Sequence, residues 1–172
     1  ERVQIERVHD ADNVETVLAA IPATGRMHLD PDTVVSPGSG EAALRAAGSE
    51  GAIMALSETA RTAQDAADSV GCELGAIVKS LVFRIGAQAV IALVAGDRRC
   101  DTSALGPALG LAGKCKRADA DLVRAATGFA IGGVAPLAYP LPLPTAVDAS
   151  LGRFDKLYAA AGHPYCVFPT NL

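Results

Sequence analysis

The sequence predicts an α/β (α+β) domain built on a mixed, strongly curved sheet. Short apolar runs typical of strands alternate with short alanine-rich runs at helical spacing, and two of the apolar runs are joined by a glycine turn. At 172 residues, half of them hydrophobic, the chain is long enough for one domain with a substantial core. Because tryptophan is absent and aromatic residues are few, we expect a core of alanine, valine, leucine and isoleucine.

The regular pattern begins at residue 41. Predicted helices cover 41–47, 63–70, 105–109 and 119–126, and predicted strands cover 53–56, 77–85, 89–95, 154–160 and 165–168. The second helix starts after Thr59 or Thr62, and Thr62 followed three residues later by Asp65 is typical of an N-terminal cap. Residues 139–144 alternate proline and leucine, so they are expected to form an extended loop.

Residues 1–40 have a different character from the rest of the chain. A short helix capped by Asn13 is followed by a stretch, 24–40, that is rich in glycine, proline, aspartate and serine and has no strong period. We therefore interpret 1–40 as an N-terminal extension and 41–172 as the functional domain. We expect the extension to be dispensable for activity.

Charge and cysteine content restrict the possible partners. The net charge of −4 provides no global attraction to nucleic acid, so any such contact must be local. Positive charge concentrates in two clusters, each of which is either a nucleic-acid contact or a solvated loop face: Arg98 and Arg99, and Lys114, Lys116 and Arg117.

The four cysteines lie far apart without metal-ligand spacing, and we expect neither a metal nor another cofactor. No apolar run is long enough to span a bilayer, so a cytoplasmic protein without a membrane partner is expected.

Lys79 lies inside an otherwise apolar strand, between Ile77-Val78 and Leu81-Val82-Phe83. Desolvating an ammonium group costs several kcal/mol unless the charge is paired or functional. Two interpretations follow: either the strand is at a sheet edge with Lys79 in solvent, or the charge faces a functional group. Because adjacent side chains on a strand point to opposite faces, Lys79 and Ser80 cannot both face inward, and we favour Lys79.

A glycine loop lies downstream of this strand, where Gly132-Gly133 precede Val134 and Pro136. With five sequence blocks in the same order, the chain from 41 to 171 resembles the YbaK/ProX-like aminoacyl-tRNA deacylases, the free-standing homologues of the editing domain of prolyl-tRNA synthetase. The five blocks are 57–62, 78–83, 94–99, 132–136 and 147–151.

The resemblance implies a mixed, six-stranded, barrel-like sheet surrounded by helices. It also implies hydrolysis, in trans, of tRNA mischarged with a small amino acid such as alanine, serine, threonine or cysteine. The implied partners are the aminoacyl-tRNA acceptor end and prolyl-tRNA synthetase, with monomer and homodimer both open. In the family, the residues matching Lys79 and Gly132 are those most closely tied to activity. The alternative is a non-catalytic module of the same fold that binds a tRNA end or another small ligand.

Backbone N–H groups in a glycine loop can stabilise the oxyanion of ester hydrolysis, so Gly133 joins Lys79 and Gly132 as a candidate catalytic residue. The candidate substrate-binding residues are Thr62, Ser80, Val134, Pro136, Asp148, Ala160 and His163. Asp148 either orients a lysine or caps the turn that follows it, and His163 lies in a Gly-His-Pro turn where a surface histidine is the alternative. Ala159 to Ala161 stand where some family members carry a pocket serine. No base is visible near a cysteine, so Cys72 and Cys100 are interpreted as small hydrophobic residues rather than nucleophiles.

Overall fold

The computed structural model describes residues 27–30, 33–35, 53–56, 62–162 and 165–172. The strands are β1 (Met27–Asp30), β2 (Thr33–Val35), β3 (Met54–Ala55), β4 (Ile77–Ile85), β5 (Gln88–Ala95), β6 (Cys115–Arg117), β7 (Thr145–Val147), β8 (Leu157–Ala160) and β9 (Cys166–Thr170). The helices are α1 (Ala63–Val70), α2 (Thr102–Ala108) and α3 (Ala120–Thr127), with 3-10 turns at Leu74–Ala76 and Ala149–Arg153. The helices predicted after Asn13 and at 41–47 lie outside the described residues, and the division at residue 40 stays a prediction.

The main sheet is mixed, as predicted. Six strands follow one another in the order β3-β9-β8-β4-β5-β7, and β6 pairs with β4 off this path. The β4–β5 hairpin is antiparallel, whereas β8 joins β4 and β7 joins β5 in parallel. Among the described residues no ladder connects β3 to β7, so the sheet is open and the expectation of a barrel-like sheet was too specific. β1 and β2 form a separate antiparallel pair within the predicted extension.

The helix termini follow the sequence signals closely. The Oγ1 atom of Thr62 accepts a hydrogen bond from the Asp65 N–H at 3.1 Å, and a carboxylate oxygen of Asp65 accepts one from the Thr62 N–H at 3.0 Å. This reciprocal pair is a capping box, and the helix ends at Gly71 in the left-handed conformation. At α3, the Asp119 carboxylate accepts from the Leu122 N–H at 2.8 Å, as its predicted cap requires.

Strand β6, like β1, β2 and β7, was not among the strands expected from the sequence. Residues Cys115–Arg117, which the sequence left as either a nucleic-acid contact or a solvated loop face, form β6 and pair with Phe83–Ile85 of β4. On the same side of β4, β8 pairs only with Ile77 and Val78. Residues 79–82 therefore have β5 on one side and no strand on the other, which leaves a gap in the middle of the sheet.

Alternate side chains of β4 pack into different clusters on the two faces of the sheet. Phe83 and Ile85 contact the cluster that contains Leu105 of α2, whereas Val82 packs with Val123 and Phe129 at the α3 end. By the same alternation, the Lys79 side chain belongs to the α2 face and the Ser80 side chain to the α3 face. Within the part of the chain described here, no helix has the length and apolar composition needed to cross a membrane.

Candidate active site

A cavity of about 320 Å³ opens at the gap in β4. Strand β4 forms its floor, and the start of α1, the glycine loop and strands β8 and β9 form its walls. Six of the ten candidate catalytic and substrate-binding residues meet here, together with one of the five candidate tRNA-binding residues, Arg117. The six are Thr62, Lys79, Ser80, Gly132, Val134 and Ala160. Gly133, Pro136 and Asp148 do not line it, and His163 lies outside the described residues.

The glycine loop at the cavity wall is a tight turn. The Gly133 N–H donates to the Ala130 carbonyl at 3.1 Å, and Gly132 has a φ of 94°. A positive φ at the third residue of a hydrogen-bonded turn is typical of a type II turn, and glycine adopts it without steric cost. The turn therefore uses the Gly133 N–H, while the Gly132 N–H has no hydrogen-bond partner among the described residues. Of the two predicted backbone donors, Gly132 is the one available to a ligand.

Buried groups hold this loop at both ends. Thr127 is completely buried, and its hydroxyl donates to the Val123 carbonyl at 2.7 Å while accepting from the Phe129 N–H at 3.1 Å. Beyond the turn, the Tyr139 hydroxyl donates to the Ala135 carbonyl at 2.8 Å, and burial raises the pKa of this phenol. The exposed glycine turn is thus flanked on both sides by buried or part-buried side chains whose hydroxyl groups are hydrogen-bonded.

Lys79 contacts main-chain carbonyls and is partly buried. Its Nζ donates to the Gly96 carbonyl at 3.0 Å and to the Arg98 carbonyl at 2.6 Å, which uses two of its three N–H groups. Desolvation lowers the pKa of Lys79, the carboxylates of Asp97 and Asp148 oppose this shift, and Arg99 adds to it. Because β4 is central and the ammonium is part-buried, the solvent-exposed edge-strand interpretation is wrong.

The main-chain N–H and C=O groups of Ser80 point into the gap. The Val82 carbonyl accepts from the Ala118 N–H at 3.2 Å on the β6 side, so the peptide groups of Ser80, two residues earlier, point the same way. The Ser80 hydroxyl is covered and has no hydrogen-bond partner within the described residues. A polar group left unpaired beside a cavity is ready to bind a ligand if its side chain rotates.

Sequence reasoning missed the gap and several residues that line it, among them Ile131 and Tyr158. Ile131 is 61% exposed although it is large and apolar, and Tyr158 of β8 lines the opposite wall. An isoleucine placed directly before two loop glycines could have indicated the first residue. The second depends on the pairing of β8 with β4, which local sequence does not reveal.

The two cationic clusters occupy different places. Arg98 and Arg99 are exposed on the turn after β5, and Lys116 is exposed on β6. Arg117, at the end of β6, is the member that reaches the cavity. The β6 cluster is therefore beside the cavity mouth, where a polyanion could contact it.

Asp148 has the capping role that the sequence left open. Its carboxylate accepts from the Ser150 N–H at 2.9 Å, at the start of the 3-10 turn, and from the Ala95 N–H at 3.3 Å. Burial favours a higher pKa for Asp148, but these hydrogen bonds outweigh it and hold the pKa below its usual value. Through these two hydrogen bonds, Asp148 connects the end of β5 to the 3-10 turn after β7.

The cysteines do not have the properties of nucleophiles. Burial raises the pKa of Cys166, which lines the cavity, to about 11, and desolvation also raises the pKa of Cys72 and Cys100. Thiols with raised pKa values stay protonated near neutral pH and react slowly. These shifts favour their interpretation as small hydrophobic residues.

The chain is similar in sequence and in fold to proteins of known structure. The chain is similar to a crystal structure of a proposed trans-editing enzyme for prolyl tRNA synthetase, with 36% identity and a TM-score of 0.72, covering 84% of this chain and 88% of that one. It is also similar to the hypothetical protein APE2540, with 26% identity and a TM-score of 0.68, covering 76% and 87% of the two chains.

A curated relative is the uncharacterized protein YwhH of Bacillus subtilis, which is 33% identical over 102 residues. That match covers 59% of this chain and 64% of YwhH, less than two thirds of the relative's length. The sequence profile of the aminoacyl-tRNA editing domain matches residues 57–171, which is well over half of the chain. The resemblance seen in the sequence is therefore confirmed, and the chain belongs to the aminoacyl-tRNA editing domain family.

Proposed function

We propose that this protein hydrolyses, in trans, the ester bond of tRNA mischarged with a small amino acid, with prolyl-tRNA synthetase as the source of the error. The observation that carries the proposal is the cavity at the gap in β4, where Gly132, Ser80 and Lys79 lie together. The likeness to a proposed trans-editing enzyme for prolyl tRNA synthetase supports the choice of synthetase.

Ester hydrolysis requires stabilisation of the negative charge that develops on the carbonyl oxygen. In one route, water attacks the ester carbon directly. In the other, the neighbouring ribose hydroxyl attacks first and takes over the acyl group, which water then attacks. Each attack converts the carbonyl into a tetrahedral oxyanion. Its collapse breaks the bond to the ribose oxygen, which leaves with a proton. We assign the oxyanion contact to the Gly132 N–H, because it is exposed and unpaired within the described residues while the Gly133 N–H closes the turn.

Lys79 provides the positive charge of the proposed site. A partly desolvated ammonium interacts more strongly with a developing negative charge than one in water does. Two of its N–H groups hold the Gly96 and Arg98 carbonyls, so its position is fixed, and the proposal requires the third N–H to reach the substrate through the gap in β4. Arg117 at the cavity mouth is suited to the terminal phosphate of the tRNA.

The walls of the cavity favour a small amino acid. Ala63, Ala66 and Ala160 line it, and the volume of about 320 Å³ is near the lower end of the range for small-molecule sites, about 300–1,000 Å³. A synthetase discriminates one methylene group by only about 1–3 kcal/mol, so a second hydrolytic site is needed when greater accuracy is required. Ala160 belongs to the segment 159–161, where the family resemblance implies a pocket serine in some members, so that polar contact is missing from this pocket.

The test is release of amino acid from tRNAPro charged separately with alanine, serine, threonine or cysteine. We expect purified protein to accelerate release of at least one of the four, and correctly charged prolyl-tRNA to be spared. Binding of tRNA without acceleration for any of the four would instead identify a non-catalytic module. The panel also determines which amino acid is removed.

A further inference from the structure

A second cavity, of about 480 Å³, lies on the α2 side of the sheet. We call it the arginine groove: its floor is Ala92, Val94 and Leu105, which are buried and apolar, and its rim carries Arg98 and Arg99. Helix α2 and the edge strand β7 form its two walls. The cavity at the gap in β4 does not include any of these residues.

The arginines at the rim form no salt bridge within the described residues, although the charge of Arg98 helps to lower the pKa of the nearby Asp148. The Asp101 carboxylate accepts from the N–H and the hydroxyl of Ser103, at 2.9 and 2.6 Å, and the Asp148 carboxylate accepts from two main-chain N–H groups. Asp97, the residue before Arg98, forms a salt bridge with Arg153 at 2.9 Å.

The turn that carries the arginines is held rigidly. Lys79 binds the carbonyls of Gly96 and Arg98, and the Arg98 N–H donates to the Ala95 carbonyl at 3.0 Å. Gly96 packs so closely on the Leu74 carbonyl that no Cβ would fit. The turn thereby keeps the exposed Arg98 and Arg99 close to the ammonium of Lys79, which lies on β4, and the carboxylates of Asp97 and Asp148 offset part of this positive charge. A phosphate bound at the rim would offset the rest.

We propose that the arginine groove binds one nucleotide of the RNA acceptor strand, with its phosphate on Arg98 and Arg99 and its base on the apolar floor. This inference rests on the proposed function, in which the aminoacyl end of the same strand occupies the cavity at the gap in β4. Guanidinium groups match phosphate geometry, and any base can pack a flat face on an apolar surface. Lys79 connects the two sites, because its strand lines the first and its ammonium holds the rim of the second.

The test compares two substrates and two tryptophan variants. Ala104→Trp fills the groove from the exposed side of α2, and Ala125→Trp adds the same side chain to the exposed side of α3 as a matched control. One substrate is alanyl-tRNAPro and the other is 3′-O-alanyl-adenosine, which has no phosphate. Single-turnover rates are measured against enzyme concentration, and affinity for uncharged tRNAPro is measured separately.

We expect Ala104→Trp to raise the enzyme concentration that gives half the maximal rate with alanyl-tRNAPro by about tenfold, the size of one lost nucleotide contact. Its affinity for uncharged tRNAPro should weaken by the same factor of about ten. Hydrolysis of alanyl-adenosine should stay at the wild-type rate, and Ala125→Trp should match wild type throughout. The inference is overturned if folded Ala104→Trp retains wild-type tRNA affinity, or if it loses activity on both substrates equally. If wild-type protein hydrolyses neither substrate, the proposed function fails, and the affinity for uncharged tRNAPro still decides whether the groove binds RNA.

A second pair of variants tests the phosphate contact without changing the shape of the groove. Arg98→Ala and Arg99→Ala each remove one exposed cation, so each should reduce the slope of log affinity against log salt by about 0.7 to 1. An unchanged slope in both variants contradicts a phosphate at this rim. Saturable binding of free 5′-AMP or 5′-CMP in the groove, without competition from tRNAPro, would make it a mononucleotide site and overturn the RNA assignment.

Discussion

The glycine loop after α3 borders the proposed active site and the turn after β5 carries the rim of the arginine groove, and different forces hold these two segments. The turn, residues 95–99, has one main-chain hydrogen bond, from the Arg98 N–H to the Ala95 carbonyl, and is also held by charged side chains: Lys79 binds two of its carbonyls and Arg153 binds Asp97. The glycine loop, residues 130–134, is fixed by one main-chain hydrogen bond and by the burial of Val134 beside it. The turn presents cationic side chains, whereas the loop presents its own backbone.

The difference follows from what each segment must offer a ligand. A segment that presents arginines can use other charges to hold its backbone, because its side chains remain free. A segment that presents an N–H group must keep side chains away from it, so glycine and a tight turn replace a polar network. Substitutions in the two segments should therefore affect different measurements.

The largest effect is expected in the glycine loop. Gly132→Val places a β-branched residue at a φ of 94° and puts a Cβ beside the exposed N–H, so the single-turnover rate should fall on the order of 10³ or more. Gly71→Val is the matched control, because Gly71 is also left-handed, with a φ of 69° and no atom within 4 Å of an added Cβ. The control should lose comparable stability in denaturant unfolding and keep its rate. Equal loss of rate in both variants would show that backbone strain, not the N–H, explains the effect.

Lys79→Ala should reduce the rate by a factor on the order of 10²–10³ through loss of one fixed charge. Because Lys79 also holds the turn, Asp97→Asn is the informative comparison: it breaks the Arg153 pair and leaves the ammonium in place. Those two side chains are 33% and 40% exposed, so this change should cost under about 1 kcal/mol and leave the rate within a few-fold. A rate for Asp97→Asn as low as that of Lys79→Ala would mean that Lys79 acts through the turn alone.

A smaller effect, on stability and on its pH dependence, is expected at Asp148. Its pKa is lowered in the folded protein, so the carboxylate stabilises the fold above the ordinary aspartate pKa of about 4, and this contribution is lost as the pH falls through the folded value. Asp148→Asn keeps a capping oxygen without the charge, and should be less stable by up to about 1 kcal/mol at neutral pH. Urea unfolding of both proteins across the acid range should show the two stabilities converging at low pH. A difference that stays constant with pH would contradict the assignment.

The smallest effect is expected from the cysteines. Cys72, Cys100 and Cys115 changed to serine, with the buried Cys166 changed to alanine, should leave the deacylation rate within a few-fold of wild type. The rate is measured under single-turnover conditions, with circular dichroism as the check on folding. A folded variant in which one cysteine proves indispensable would replace the backbone mechanism with a covalent one.

Local sequence alone determined much of the secondary structure and the family. The capping box at Thr62 and Asp65, the β4–β5 hairpin with its Gly86 turn, and the Asp119 cap of α3 were predicted correctly, because each depends on residues only a few positions apart. The ordered motifs around Lys79 and Gly132 were enough to identify the editing-domain family, which the profile match confirmed.

Only the tertiary structure decided where the chemistry is exposed. The pairing of β8 and β6 with opposite ends of β4 creates the gap that opens the cavity, and these partners lie 30 or more residues away in sequence. The same packing directs the Lys79 ammonium to the Gly96 and Arg98 carbonyls, and it leaves the Gly132 N–H unpaired while using that of Gly133. Strand pairing and hydrogen-bond partners are set by contacts between distant segments, so the propensities of neighbouring residues carry no information about them.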